Sequence, residues 1–135
     1  MKPQKPAPQH YLNFSIGRSG FHLAASLNSR EEKIGVELYL DHEHAKAFFH
    51  LLVKDREQIE QELGFPLDWQ ELPHRAACRI VYFLNKVDPK HESRWPEFRR
   101  WMIEHLEKLD HAFRRRVRVL NPEHYLPSSE RSAEE

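Results

Sequence analysis

The stretch Ile34–Lys46, IGVELYLDHEHAK, sets two acids and two histidines side by side: Asp41, His42, Glu43 and His44. Carboxylates and imidazoles are the side chains that hold divalent metals and move protons. Their spacing decides against a metal. At a helix start, successive side chains fan out by about 100° and do not converge. Helical ligand pairs lie at i, i+3 or i, i+4, as in HExxH, a pattern this chain lacks. The same residues suit a seam where a strand becomes a helix, with Asp41 as N-cap and Glu43 in the first turn. No metal site and no cofactor is expected.

A second group falls on the polar side of the strands. Glu37 and Tyr39 share one face of a strand, and Arg79 and His22 on other strands are placed to join them. A carboxylate, a phenol, a guanidinium and an imidazole on one surface can receive a ligand or a protein partner. The plainer alternative is a Glu37–Arg79 cross-strand ion pair on a solvated or dimer-covered face. These four residues form the candidate ligand or partner face, and no catalytic residue is assigned. The ten histidines show no triad spacing, and the four glycines form neither GxxxxGK nor GxGxxG. Cys78, the single cysteine, has no evident activating neighbour and reads as a buried structural thiol.

The third group is basic. Between residues 94 and 118 there are eight lysines and arginines against four acids, whereas residues 42–63 hold three against five. Arg99, Arg100, Arg114, Arg115, Arg116 and Arg118 are the candidate nucleic-acid contacts, since phosphates are held by such clusters. Arginines in the last turns of a helix also complement its dipole and solvate its outer face without any ligand.

These side chains need elements to position them. YLNFSIG, FHLAASL and IGVELYL each alternate apolar and polar residues, with Gly17 and Gly20 in the first turn and NSREEK in the second, so they read as a β-meander with one buried face. The period then changes. Ala45, Phe48, Phe49, Leu52, Ile59 and Leu63 follow helical spacing with one gap at Arg56, and Gly64-Phe65-Pro66 stops the helix. LDWQEL predicts a short strand, and RAACRIVYFLN a central strand covered on both faces. A last helix begins near Ser93, with Pro96 in its first turn and an apolar stripe of Trp95, Phe98, Met102, Leu106, Leu109 and Phe113. The order βββ-α-ββ-α predicts an α+β fold: an antiparallel sheet of about five strands with two helices on one face.

The bulk properties agree with one domain. The chain has 135 residues, 21 basic and 21 acidic, and a mean hydropathy of −0.80. A neutral chain is not built for nucleic acid over its whole surface, although one basic face remains open to it. One cysteine permits no internal disulfide, which suits a cytoplasmic protein. No apolar run approaches the ~18 residues of a membrane span. MKPQKPAPQ lacks the apolar core of a signal peptide and reads as a flexible arm. Residues 1–10 are therefore expected as a proline-rich arm, 11–120 as the domain and 121–135 as a loose tail.

The runs IGVELYLD, KDREQIEQELGFPLDWQEL, RAACRIVYF and RWPEFRRWMIEHLEKLDHAFR together resemble domain-of-unknown-function family 4268. The likeness spans roughly residues 11–120, with Lys54 farther from Ile59-Glu60 than in the family pattern. It implies a bacterial accessory domain of the kind that often follows a restriction-endonuclease-like nuclease domain, with no catalytic residues to carry over. No D…(D/E)xK strand is present here. The leading expectation is a non-catalytic interaction domain of restriction or DNA-processing systems, binding a protein partner or a second copy of itself. The rivals are a nucleic-acid-binding module using the basic helix, and a small hydrolase or nuclease with its site on the polar sheet face.

Overall fold

The computed structural model describes residues 9–125. Most of the expected arm, and the expected tail beyond residue 125, lie outside the described residues. The chain forms β1 (Gln9–Ser15), β2 (Phe21–Asn28), β3 (Lys33–Leu40), α1 (Ala45–Val53), α2 (Arg56–Leu63), β4 (Asp68–Gln70), β5 (Cys78–Asn85) and α3 (Trp95–Arg118). Short 3-10 turns stand at Glu92–Arg94 and Pro122–His124. The architecture is the α+β layer expected from the alternation: five antiparallel strands in the order β1-β2-β3-β5-β4.

Alternation sets which side chains meet the helices. Phe21, Leu23 and Ala25 of β2 pair with Leu40, Leu38 and Val36 of β3, and these with Cys78, Ile80 and Tyr82 of β5. Residues directly opposite in a ladder point to the same face, so these rows form one apolar floor. Phe48, Phe49 and Leu52 of α1, Ile59 and Leu63 of α2, and Phe98, Met102, Leu106, Leu109 and Phe113 of α3 close over it as a single buried cluster.

Three local expectations change. The single helix after β3 divides at Lys54–Asp55, where Asp55 N–H donates to Leu52 O at 2.9 Å and α2 starts afresh. Both positions 55 and 56 are polar, so no apolar contact carries the first axis onward. Asp41 does not cap α1. Its N–H stays in the sheet, donating to Gly20 O at 2.8 Å, the N-cap is His44, and the first turn holds no acid. His42 Nδ1 accepts from His44 N–H at 3.0 Å instead. Trp95 is not core: it is half exposed, because its indole N–H donates to Pro89 O at 2.7 Å and holds the ring against the preceding loop.

The remaining punctuation follows chain chemistry. Gly64 takes φ +87° at the C-terminus of α2, a left-handed conformation that suits glycine. Phe65 then folds back and stacks on Tyr82 at 4.0 Å between centroids. At the end of α3, Arg18 donates from Nη1 to the carbonyl of Val117 (2.8 Å) and, just past the helix, to that of Leu120 (2.7 Å), setting a cation at the negative end of the helix. No helix among the described residues is long and apolar enough to cross a membrane.

Candidate functional site

The face of the sheet turned away from the helices holds the polar group. Rows run across it by register. His22 of β2, Tyr39 of β3, Arg79 of β5 and Gln70 of β4 form one row, and Ala24, Glu37, Val81 and Asp68 form the next. The structure brings together all four residues of the candidate face. His22 and Tyr39 pack ring to ring at 5.2 Å. Glu37 Oε1 accepts from Arg79 Nη2 at 2.6 Å and from Arg79 Nε at 3.0 Å.

The centre of this face is closed to water. Ala24, Glu37 and Val81 are all 0% exposed. A buried carboxylate is costly unless a charge and hydrogen bonds meet it, and Arg79 supplies both. Arg79 retains a 25% exposed side chain, its Nη1 lying 3.5 Å from Gln70 Oε1. Beside the pair the face opens into a cavity of about 500 Å³, walled by Glu37, Tyr39 and Arg79 together with Phe83, Leu72 and Arg75.

Two features shape that cavity. Gly35 leaves room for the Phe83 ring, since a Cβ there would lie 2.9 Å from Phe83 Cδ1. Lys33 Nζ caps the ring at 3.9 Å from its centroid, and pairs with Glu31 at 2.9 Å. The hydrogen bond and charge of Lys33 hold the Glu31 carboxyl below the usual range. The second feature is the loop between β4 and β5. The Lys46 ammonium donates to the carbonyl oxygens of Glu71, Leu72 (2.8 Å) and Ala77 (3.1 Å), matching its three donors with three acceptors. Leu72 is held at φ +57° inside that loop, a conformation uncommon for a residue with a Cβ.

Sequence reasoning did not find Lys46, Leu72, Arg75 or Phe83. Leu72 and Arg75 lie in a loop, which carries no period, while Lys46 reaches that loop from α1 and Phe83 shares the Arg79 face of β5. Gly35 was the one legible signal, because a glycine inside an apolar strand marks a close approach.

Of the six candidate arginines of α3, Arg114 and Arg116 are engaged by acids. Arg116 pairs with Glu62 at 2.9 Å and donates to Ala112 O at 2.7 Å, joining α3 to α2. Glu62 raises the Arg116 pKa, and Arg116 lowers that of Glu62. Arg114 pairs with Asp110 at 2.8 Å. Arg99, Arg100, Arg115 and Arg118 are exposed. They are interspersed with Glu104 and Glu107, also exposed, so the outer face of α3 is mixed in charge.

Cys78 is buried, its Sγ 3.9 Å from Ala45 O. Burial pushes its thiol up in pKa, only partly offset by Lys46. Such a thiol is a packing group and not a nucleophile. Among the described residues no set of three or more His, Cys, Asp or Glu is placed to hold a metal ion.

A model of the family described as a domain of unknown function (DUF4268) matches residues 1–117. No curated protein and no solved structure matches the chain.

Proposed function

The chain belongs to the DUF4268 family, and from that premise we propose that it is a non-catalytic, cytoplasmic accessory domain of bacterial restriction or DNA-processing systems. It engages a protein partner through the polar face of its sheet. The observation that carries this reading is the Glu37–Arg79 pair, sealed at 0% exposure of Glu37, beside a cavity of about 500 Å³. That volume lies in the range of recognition sites. Three further features support it. The helices pack on the other face, and this one carries the polar rows. The cavity wall includes Tyr39, Phe83, Arg75 and Arg79, aromatic and guanidinium side chains of the types enriched at protein interfaces. The restriction context rests on the company such domains keep.

The test is calorimetric titration with a restriction-nuclease-like domain encoded beside this one. Saturable binding that Tyr39→Ala and Phe83→Ala each weaken, with Arg115→Glu without effect, is the expected result. Binding that is lost through Arg115→Glu and untouched by the two sheet-face changes would overturn the reading, as would a complete lack of heat. Light scattering across a concentration series separates partner binding from self-association through the same face.

A further inference from the structure

We infer that the group received in this cavity is the carboxylate of an acidic peptide segment on the partner, held between Arg75 and Arg79. The inference rests on the reading of the sheet face as the partner surface. The cavity wall holds Lys33, Arg75 and Arg79 against Glu31 and Glu37. Glu37 is engaged by Arg79 and Glu31 by Lys33. Arg75 is exposed and pairs with no acid among the described residues. Among the described residues the wall therefore carries one cation in excess.

Arg79 adds a prepared donor. Its Nε and Nη2 are committed to one Glu37 oxygen, which fixes the plane of the guanidinium, while among the described residues Nη1 has only the 3.5 Å contact with Gln70. A planar fork held in place loses little freedom on taking a carboxylate. Arg75 is prepared in a different way. It sits on the loop that Lys46 pins through three carbonyls, next to Leu72 with its positive φ. Its own N–H donates to Leu72 O at 2.9 Å. Backbone strain of this kind persists where surrounding structure over-determines it, and it concentrates at ligand clamps.

Charge also selects among anions. A nucleic-acid strand needs several phosphate contacts along a basic track. Here Glu31 and Glu37 stand in the same wall as the cations, which opposes a long phosphate backbone but leaves room for the carboxylate side chain of a short acidic peptide. Ser26, Asn28 and Gln70 supply further hydrogen-bonding groups suited to peptide amides, and Phe83 and Leu72 an apolar flank.

The experiment is an amide-detected NMR titration of the full chain with four probes: a blocked tetraglutamate peptide, its tetraglutamine counterpart, free glutarate and a short oligothymidylate. The expected result is saturable shifts at Arg75, Arg79 and Phe83 with tetraglutamate alone. Arg75→Glu should weaken it about tenfold or more, and Arg75→Lys less, as loss of a charge-assisted contact predicts. Glutarate binding as well as tetraglutamate would mark a small-acid site and overturn the peptide assignment. Equal binding of tetraglutamine, preferred binding of oligothymidylate, shifts confined to α3, or no shifts at all would also overturn it. Both surface variants keep the Glu37–Arg79 pair, so folding is not at stake. If the nuclease-like partner footprints on the sheet face and Arg75→Glu leaves its affinity unchanged, this inference fails and the partner surface stands. A footprint elsewhere removes both.

Discussion

Arg79 does not stand opposite Glu37 in the ladder. It pairs in register with Tyr39, and reaches diagonally into Val81's row to place Nη2 2.6 Å from Glu37 Oε1. Diagonal neighbours in an antiparallel sheet are within reach of long side chains. The pair is buried on the glutamate side and open on the arginine side. That asymmetry makes it a structural floor and a recognition edge at once.

Removing one partner of a buried pair leaves the other charge uncompensated. Arg79→Leu is expected to cost about 3 kcal/mol in urea unfolding, because the buried Glu37 loses the guanidinium that engages it. Glu37→Leu in the same chain should recover part of the loss, as the buried carboxylate is gone. A double-mutant cycle measures the coupling, and strict additivity of the two substitutions would show that the pair contributes nothing.

Lys46 tests the loop clamp. Lys46→Met keeps the stem but removes three donors to the Glu71, Leu72 and Ala77 carbonyls. Global stability should fall by about 2 kcal/mol, since hydrogen bonds from a charged group are stronger than neutral ones. Amide exchange should accelerate first in residues 71–77, and later in β5. Uniform acceleration throughout the chain would show that Lys46 is a general packing residue and no clamp.

Gly35→Ala probes the aromatic wall. The new methyl would lie 2.9 Å from Phe83 Cδ1 and 3.3 Å from Ser26 Oγ, so the ring must tilt away from the strand and from Lys33. Overpacking of this size costs about 1–3 kcal/mol. The Phe83 ring resonances should shift while those of the α3 core do not. Unchanged Phe83 resonances would count against the contact.

Glu60 ties α2 to β4 by accepting from Leu67 N–H at 2.8 Å and from Trp69 Nε1 at 2.9 Å. Burial pushes its pKa upward, but these donors and Arg56 outweigh burial, so the folded value is lowered. A carboxyl depressed in the folded state binds fewer protons there than in the unfolded chain. Its stabilising contribution is therefore complete above the unfolded value, about 4.3, and is lost as pH falls through the lower folded value. Glu60→Gln should cost about 1 kcal/mol at neutral pH, and unfolding curves should show wild type and variant converging below about pH 4. Glu31, Glu62 and Glu97 are shifted in the same direction, so acid sensitivity persists in the variant.

The string of residues was enough for the strands and their buried side, because a period of two places Leu23, Val36, Leu38 and Ile80 on one surface whatever else the chain does. It was enough, too, for the end of α2 at Gly64 and for the polar set of His22, Glu37, Tyr39 and Arg79, which alternation puts on the opposite surface. Pairing order and depth were decided by the tertiary structure alone. Only the pairing of β5 with β3 brings Arg79 beside Glu37, and only the assembled structure takes that outward glutamate to 0% exposure. The Asp41 cap, the unbroken first helix and the core placement of Trp95 were displaced by contacts that local pattern does not contain: Gly20 O, the fresh turn at Asp55 and Pro89 O. The cavity belongs to the same class. Arg75, Leu72 and Phe83 meet through a loop pinned by Lys46 from another element, and contacts between distant segments leave no periodic trace in the chain that makes them.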